Sequence, residues 1–257
     1  MKFYQDATNY EAIGIRVLVN GLPIVADDTT GQGTGGEFLN PYLLDEPNHI
    51  TLILTPLKGA TLPPERASVS VQVLETSPSN NGKPGPTETV YNFEWKQKNP
   101  PVHAPSPING TLPPVARSQP LNWQNAPKSP LAQADKAEIN AQIKRLHDAL
   151  ETKNLAEVGV LLAAKTDNMA LALGQPVSSL EASQRRFFEA NFGDPRWRMK
   201  PINYDHLQYH PGAEGRVIQV LNPDGSDPLV SLPNSNSGTT TIPLLLARVN
   251  GHWTFVI

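Results

Sequence analysis

The sequence predicts two units of different class. An all-β antiparallel sandwich spans residues 1–98, and an α+β unit in which packed helices precede a β meander spans 133–257, with a proline-rich linker or strap over 99–132 between them. Three observations carry this reading. Apolar and polar residues alternate through most of the first hundred positions, prolines crowd the next thirty, and a helical period takes over after Pro130 before alternation returns at Trp197. The 257 residues also exceed the usual domain size of about 100–150.

In the first unit Ile13, Ile15, Val17 and Val19 alternate with polar or small residues, as in a strand with one buried face. The dipeptide Asn20-Gly21 then marks a turn. Further strands follow in "HITLILTP", "ASVSVQVLE" and "TVYNFEWK", with a weaker one in "EFLNPYLL". The glycine-rich "TTGQGTGGE" lacks the lysine and the serine or threonine of a phosphate-binding loop, so it reads as a flexible connection. Between Asn99 and Pro130 proline favours the polyproline II conformation. Leu121 and Trp123 mark that stretch as a strap laid on a surface, because a free spacer has no use for an indole.

The second unit opens with Ile139, Ile143, Leu146 and Leu150 at helical spacing. Asn154 with Glu157 resembles a capping box ahead of Leu155, Val158, Leu161 and Leu162. Ser178 with Glu181 starts a third helix that carries Leu180, Phe187, Phe188 and Phe192. Strands are expected in "RWRMKPINYDHLQYH", "GRVIQVLN", "TTTIPLLLARVN" and "HWTFVI", with hairpin turns at "NPDGSD" and "VNGH".

The stretches "INAQIKRLHDALETKNLAEVGVLLAAK" and "IPLLLARVNGHWTFVI" resemble the opening helix, the short following helix and the final hairpin of the nuclear-transport-factor-two-like, or cystatin-like cone, superfamily. The resemblance covers about half the chain and implies a strongly curved sheet with packed helices, a pocket at its open end, and a terminal strand whose Trp253, Phe255 and Ile257 are core. It carries over no catalytic residue. The pattern "VLVNGLPI...FLNPYLLDEPNHITLILTP" is similar to strand phrasing in immunoglobulin-like and jelly-roll modules, over about 45 residues and without the Cys...Trp...Cys marker.

Composition narrows the function. The formal net charge is -3, and residues 1–98 carry 7 Lys+Arg against 11 Asp+Glu while the remainder carries 14 against 13. Neither part has the basic footprint of a nucleic-acid binder. No apolar run is long enough to span a membrane. The start "MKFYQDATNYEAIG" lacks the apolar core of a secretory signal, so the chain is expected to be either a mature periplasmic form or cytoplasmic. With no cysteine there are no disulfides, thiol nucleophiles or cysteine metal sites.

The densest titratable group is "NYDHLQYH", which gives Tyr204, Asp205, His206 and His210 as ligand-pocket candidates beside Tyr209. On a strand Tyr204, His206 and His210 share one face. The two histidines then stand about 13 Å apart at roughly 3.3 Å per residue, too far to chelate one metal. A His and Asp or Tyr pair remains a possible general acid and base. His147 and Asp148 lie beside the apolar stripe of the first helix, Asp224 and Asp227 fit a turn, and Tyr42, Tyr91 and Trp95 are read first as core and only then as candidate sugar-stacking rings. Arg185, Arg186, Arg196 and Arg198 form the densest basic stretch and are the partner-contact candidates. No metal or cofactor signature and none of the common hydrolase or dehydrogenase motifs is present. The leading expectation is a non-enzymatic two-domain binding protein that recognises another protein in a bacterial accessory or immunity-type role. The alternative is a small-molecule enzyme or ligand binder of polyketide-cyclase or isomerase type that uses the cone pocket, and it fails if Met199, Trp197 and the phenylalanines fill the cone.

Overall fold

The computed structural model describes residues 2–27, 30–78, 85–98, 102–117, 119–128, 130–233 and 238–257. Among them are three four-stranded antiparallel sheets and three α-helices. The chain divides into two compact units, Met1–Gln119 and Pro120–Ile257. The expected boundary after residue 98 falls at residues 99–101, which lie outside the described residues.

The first unit holds β1 (Phe3–Glu11), β2 (Gly14–Val19), β3 (Leu22–Asp27), β4 (Gln32–Gly35), β5 (Asn48–Thr55), β6 (Ser68–Thr76), β7 (Thr87–Lys96) and β8 (Ile108–Leu112). Their orders are β4-β1-β6-β7 in one sheet and β3-β2-β5-β8 in the other. Alternation decides which face each strand buries. Val69, Val71 and Val73 of β6, Ile15, Val17 and Val19 of β2, and Ile50, Leu52 and Leu54 of β5 all enter one core between the sheets. Asn20 (φ 52°) and Gly21 (φ 76°) form the left-handed pair that a two-residue hairpin requires between β2 and β3.

Four stretches of this unit differ from the sequence reading. Phe3–Glu11 is a strand, the glycine-rich segment contributes β4 at a sheet edge, and the proline-rich segment contributes β8. "EFLNPYLL" is not a strand: Asn40–Tyr42 form a 3-10 helix flanked by buried Leu39 and Leu43. Pro41 sits in its first turn, where a missing N–H costs nothing. Tyr42, Tyr91 and Trp95 pack against the core, the first of their two expected roles. Gly110 explains the seat of Tyr91, since a Cβ there would lie 2.4 Å from the ring.

Several polar groups are buried in this unit and find partners, with the Nε of Arg117 left without one. The Asn48 carboxamide accepts from Leu44 N–H (2.6 Å) and Asn20 Nδ2 (2.7 Å) and donates to Pro113 O and Glu46 O (3.0 Å each). Arg117 donates to the carbonyls of Leu43 (3.0 Å) and Asn40, and burial lowers its guanidinium to about 10. Asp6 is 0% exposed. It accepts from Glu37 N–H (2.6 Å) and Thr8 Oγ1 (2.9 Å). Burial nevertheless pushes the Asp6 carboxyl above its ordinary range, against the opposing effect of these hydrogen bonds.

The second unit holds α1 (Gln133–Glu151), α2 (Leu155–Leu173) and α3 (Val177–Phe192), then β9 (Gln208–Gly212), β10 (Val217–Leu221), β11 (Leu244–Val249) and β12 (His252–Phe255) in the order β12-β11-β10-β9. Ile139, Ile143, Leu146 and Leu150 of α1 and Val158, Leu161 and Leu162 of α2 face a core completed by Ile218, Val220, Leu244, Leu246 and Phe255. Helix α2 starts where Asn154 Oδ1 accepts from Glu157 N–H (3.2 Å), while the Glu157 carboxylate holds Arg145 (2.6 Å) instead of returning to the cap. It runs 19 residues, where a short helix was expected, and ends on the left-handed Gly174. Helix α3 begins at Val177 with no side-chain cap, so Ser178 lies inside it and the expected capping box is not formed.

The last residues are core, with Trp253, Phe255, Val256 and Ile257 at 6%, 2%, 0% and 4% exposure. Asn168 ties them down: its Nδ2 donates to Val256 O (2.9 Å) and its Oδ1 accepts from Asn122 N–H (2.8 Å). Asn122 belongs to a 3-10 helix, Asn122–Asn125, that lies against β11 with Leu121 and Trp123 buried. The N–H of Trp253 donates to Glu138 Oε1 (3.0 Å), and the Trp253 indole N–H to Asp135 Oδ1 (3.2 Å).

Two expectations follow. Asn168→Ala strands a carbonyl and an N–H at once, so denaturant unfolding is expected to show a loss of about 3 kcal/mol. Asp6 is an acid whose folded pKa is raised, so its contribution to stability falls as pH rises from the unfolded carboxylate value through the folded one. Asp6→Asn removes that fall. The unfolding free energy of the variant relative to wild type is expected to increase across that window and then stay constant, measured by urea titration at a series of pH values.

Candidate functional site

The residues singled out in "NYDHLQYH" do not form one strand face. Tyr204–His206 form a 3-10 turn and β9 begins only at Gln208, so the alternation that would align Tyr204, His206 and His210 is broken. Asp205, His206 and His210 are exposed, whereas Tyr204 and Tyr209 are half-buried against the core. The segment is held along one side of α1. The Tyr209 hydroxyl donates to Asn140 Oδ1 (2.6 Å), and the Lys136 ammonium sits 5.2 Å from the centroid of the Tyr209 ring.

One turn further along α1, Lys144 Nζ lies 2.5 Å from Asp148 Oδ2, and His147 Nδ1 lies 3.5 Å from Asp148 Oδ1. His147 Nε2 is 3.1 Å from Lys200 O, and since a carbonyl can only accept, Nε2 is the donor in that contact. Lys144 first, then His147, holds the Asp148 carboxyl below its ordinary range. Burial, with the charge of Asp148 second, raises the Tyr204 phenol to about 12. Tyr204, His147 and Asp148 are thus neighbours, but the phenol stays protonated at neutral pH and Nε2 of the histidine is committed to a carbonyl. What the arrangement does is fasten residues 200–209 to α1.

The space beneath the sheet is occupied. Trp197 is 0% exposed and donates its indole N–H to Leu150 O (2.9 Å), and Met199 and Phe188 are buried in the same core. Phe192 bridges the rings of Phe188 and Trp197 at centroid distances of 5.6 and 5.4 Å. Lys153, left-handed (φ 58°) in the turn between α1 and α2, reaches the carbonyls of Phe192 (2.7 Å) and Asp194 (3.1 Å) at the end of α3. Among the described residues no group of three or more histidine, aspartate or glutamate side chains could hold a metal ion. The Asp224 carboxylate accepts from the N–H (3.0 Å) and hydroxyl (2.6 Å) of Ser226, which is the work of a turn residue.

The four arginines are not gathered into one basic site. Arg185 pairs with Glu189 (2.8 Å) along α3, and Arg186 donates to Ser183 Oγ (3.2 Å). Beyond the helix Arg196 approaches Asp194 (3.5 Å) and Arg198 approaches Glu151 (3.6 Å). Helix α3 itself is thinly packed: of its 16 residues only Phe188 and Asn191 are buried, and Phe187, one of its large apolar residues, is 45% exposed.

Sequence reasoning missed the groove between α2 and α3. Leu155, Ala156, Gly159, Ala163 and Thr166 of α2 and Glu181, Gln184 and Arg185 of α3 line a volume of about 480 Å³. The Thr166 hydroxyl lies 3.1 Å from Leu162 O and 2.8 Å from Gln184 Oε1. Having one proton, it bonds both helices well only if the Gln184 amide presents its NH₂ to Thr166. The cue in the sequence was Gly159, a helix-weakening residue in the middle of a helical period.

Comparison of the chain with protein-family models, with curated proteins and with solved structures gave no match. Among the described residues no helix is long and apolar enough to cross a membrane.

The Tyr204 environment is directly testable. Asp148→Asn removes the second cause of the raised phenol and leaves burial, so the Tyr204 pKa is expected to fall yet remain above an ordinary tyrosine. NMR titration of ring-labelled protein follows this, with Tyr204→Phe assigning the resonance.

Proposed function

We propose that this chain is a non-enzymatic binding protein that recognises another protein through the outward surface of α3. In this reading Met1–Gln119 is an immunoglobulin-like or jelly-roll β-sandwich domain and Pro120–Ile257 is a nuclear-transport-factor-two-like domain. Its role is accessory or immunity-type.

The observation that carries the reading is the poor burial of α3. A surface helix ordinarily turns an apolar stripe inward and leaves its other face polar. Here 14 of 16 residues are not buried, and the solvent side offers Arg186 next to Phe187, which is 45% exposed. Arginine and aromatic side chains are the types enriched where partners anchor. The filled core under the sheet supports the same choice, because Trp197, Met199 and Phe188 occupy the space that a small-molecule enzyme of the cyclase or isomerase type would need open.

The experiment is affinity capture from native extracts with the full chain as bait, wild type against an Arg186→Glu, Phe187→Ser double variant whose fold is checked by circular dichroism. Stoichiometric retention of a protein at moderate salt by wild type, reduced at least about tenfold in the variant, is the expected result. Retention that survives both substitutions overturns the assignment to α3. Capture of nothing, together with a small-molecule screen that raises the melting temperature, overturns protein recognition itself.

A further inference from the structure

Gly159 sits in the interior of α2, where glycine costs about 1 kcal/mol relative to alanine. Among the described residues nothing calls for it. Its backbone is helical rather than left-handed, and a Cβ built there meets no atom within 4 Å. What the glycine supplies is bare helix backbone on the floor of the α2–α3 groove. Ala156 and Ala163, about one turn to either side, extend that floor and permit close approach of another backbone. The residue after Gly159, Val160, is an apolar side chain that is 67% exposed.

We infer that this groove receives a second copy of the chain, the α2–α3 pair of one copy packing antiparallel on that of the other about a two-fold axis. The charges choose a second copy over an unrelated helix. Glu181 and Arg185 both line the groove and lie one turn apart on the same side of α3. When the second α3 runs antiparallel, Glu181 faces Arg185 of the partner subunit and Arg185 faces Glu181 of the partner subunit, so two opposite pairs form and no like pair does. A two-fold interface requires this self-complementarity. Arg185 has donors enough to keep Glu189 while it makes the second contact. The contact lies on a different side of α3 from Arg186 and Phe187, so it goes beyond the recognition proposed above and stands or falls separately from it.

The test is sedimentation equilibrium of the purified full chain across a concentration series, with no other protein present. Wild type is expected to show a monomer–dimer equilibrium built on the 28.0 kDa chain. Gly159→Leu fills open space and favours the helix, so its thermal midpoint is expected to hold or rise while the dimer dissociation constant rises at least about 30-fold. Arg185→Glu is expected to weaken the dimer, and Glu181→Arg with Arg185→Glu to restore it, because exchanging both charges recreates both pairs. A chain that stays monomeric at every concentration overturns the inference. So does a dimer that a well-folded Gly159→Leu leaves unchanged, or one that the double exchange fails to rescue.

Discussion

An amide side chain shut away from water must find partners for both its donor and its acceptor, and where those partners are remote it dictates which parts of the chain come together. Asn168 is in that position. Its donor is spent on the carbonyl of Val256 and its acceptor on the N–H of Asn122, positions 88 and 46 residues away. The strap, α2 and the end of the final strand are joined by one group, and Leu121, Trp123 and Ile257 in the joined segments are buried. The hydrophobic burial of those side chains supplies the larger energy, since each is worth roughly 1.5–3 kcal/mol. Direction comes from the amide. Apolar contacts are indifferent to small displacements and a hydrogen bond is not.

The first unit uses the same device with different residues. Asn48 joins the end of β5 to Leu44, Glu46, Asn20 and Pro113. It ties the chain entering β5 to the hairpin turn after β2 and to the proline that follows β8. In both units the buried amide lies where irregular chain meets sheet. Main-chain groups there have no ladder to satisfy them, and a side chain with two donors and an acceptor can.

This pattern explains which elements sequence could disclose. Strands β2, β5, β6 and β7 and the stripe of α1 announce themselves because their inward positions are apolar. Strand β1 is silent, since the side chains it turns inward include Asp6 and Thr8, and polar residues at buried positions erase the period. Strand β8 is silent because one inward place is Gly110, left empty for the ring of Tyr91. The inward face of α3 is ambiguous in its phenylalanines: Phe187 and Phe188 are equally hydrophobic, and only the tertiary placement of the helix decides which one enters the core. The candidate site suffered most. Alignment of Tyr204, His206 and His210 depended on a strand that becomes a 3-10 turn, and the α2–α3 groove arises from two segments whose spacing in space no local pattern encodes.

The hydrogen bond from Trp253 N–H to Glu138 has a consequence for how the molecule avoids misassembly. β12 is an edge strand, and an edge strand with unspent N–H groups is a template for uncontrolled growth of the sheet. The carboxylate from α1 occupies one such group, so an arriving strand would have to displace a charged acceptor that Arg248 also holds in place at 3.9 Å. At the opposite edge Pro211 in β9 offers no N–H at all. The meander is stoppered at both ends, one by a side chain and one by a missing proton, and continuation into a fibril-like ribbon is disfavoured from either direction.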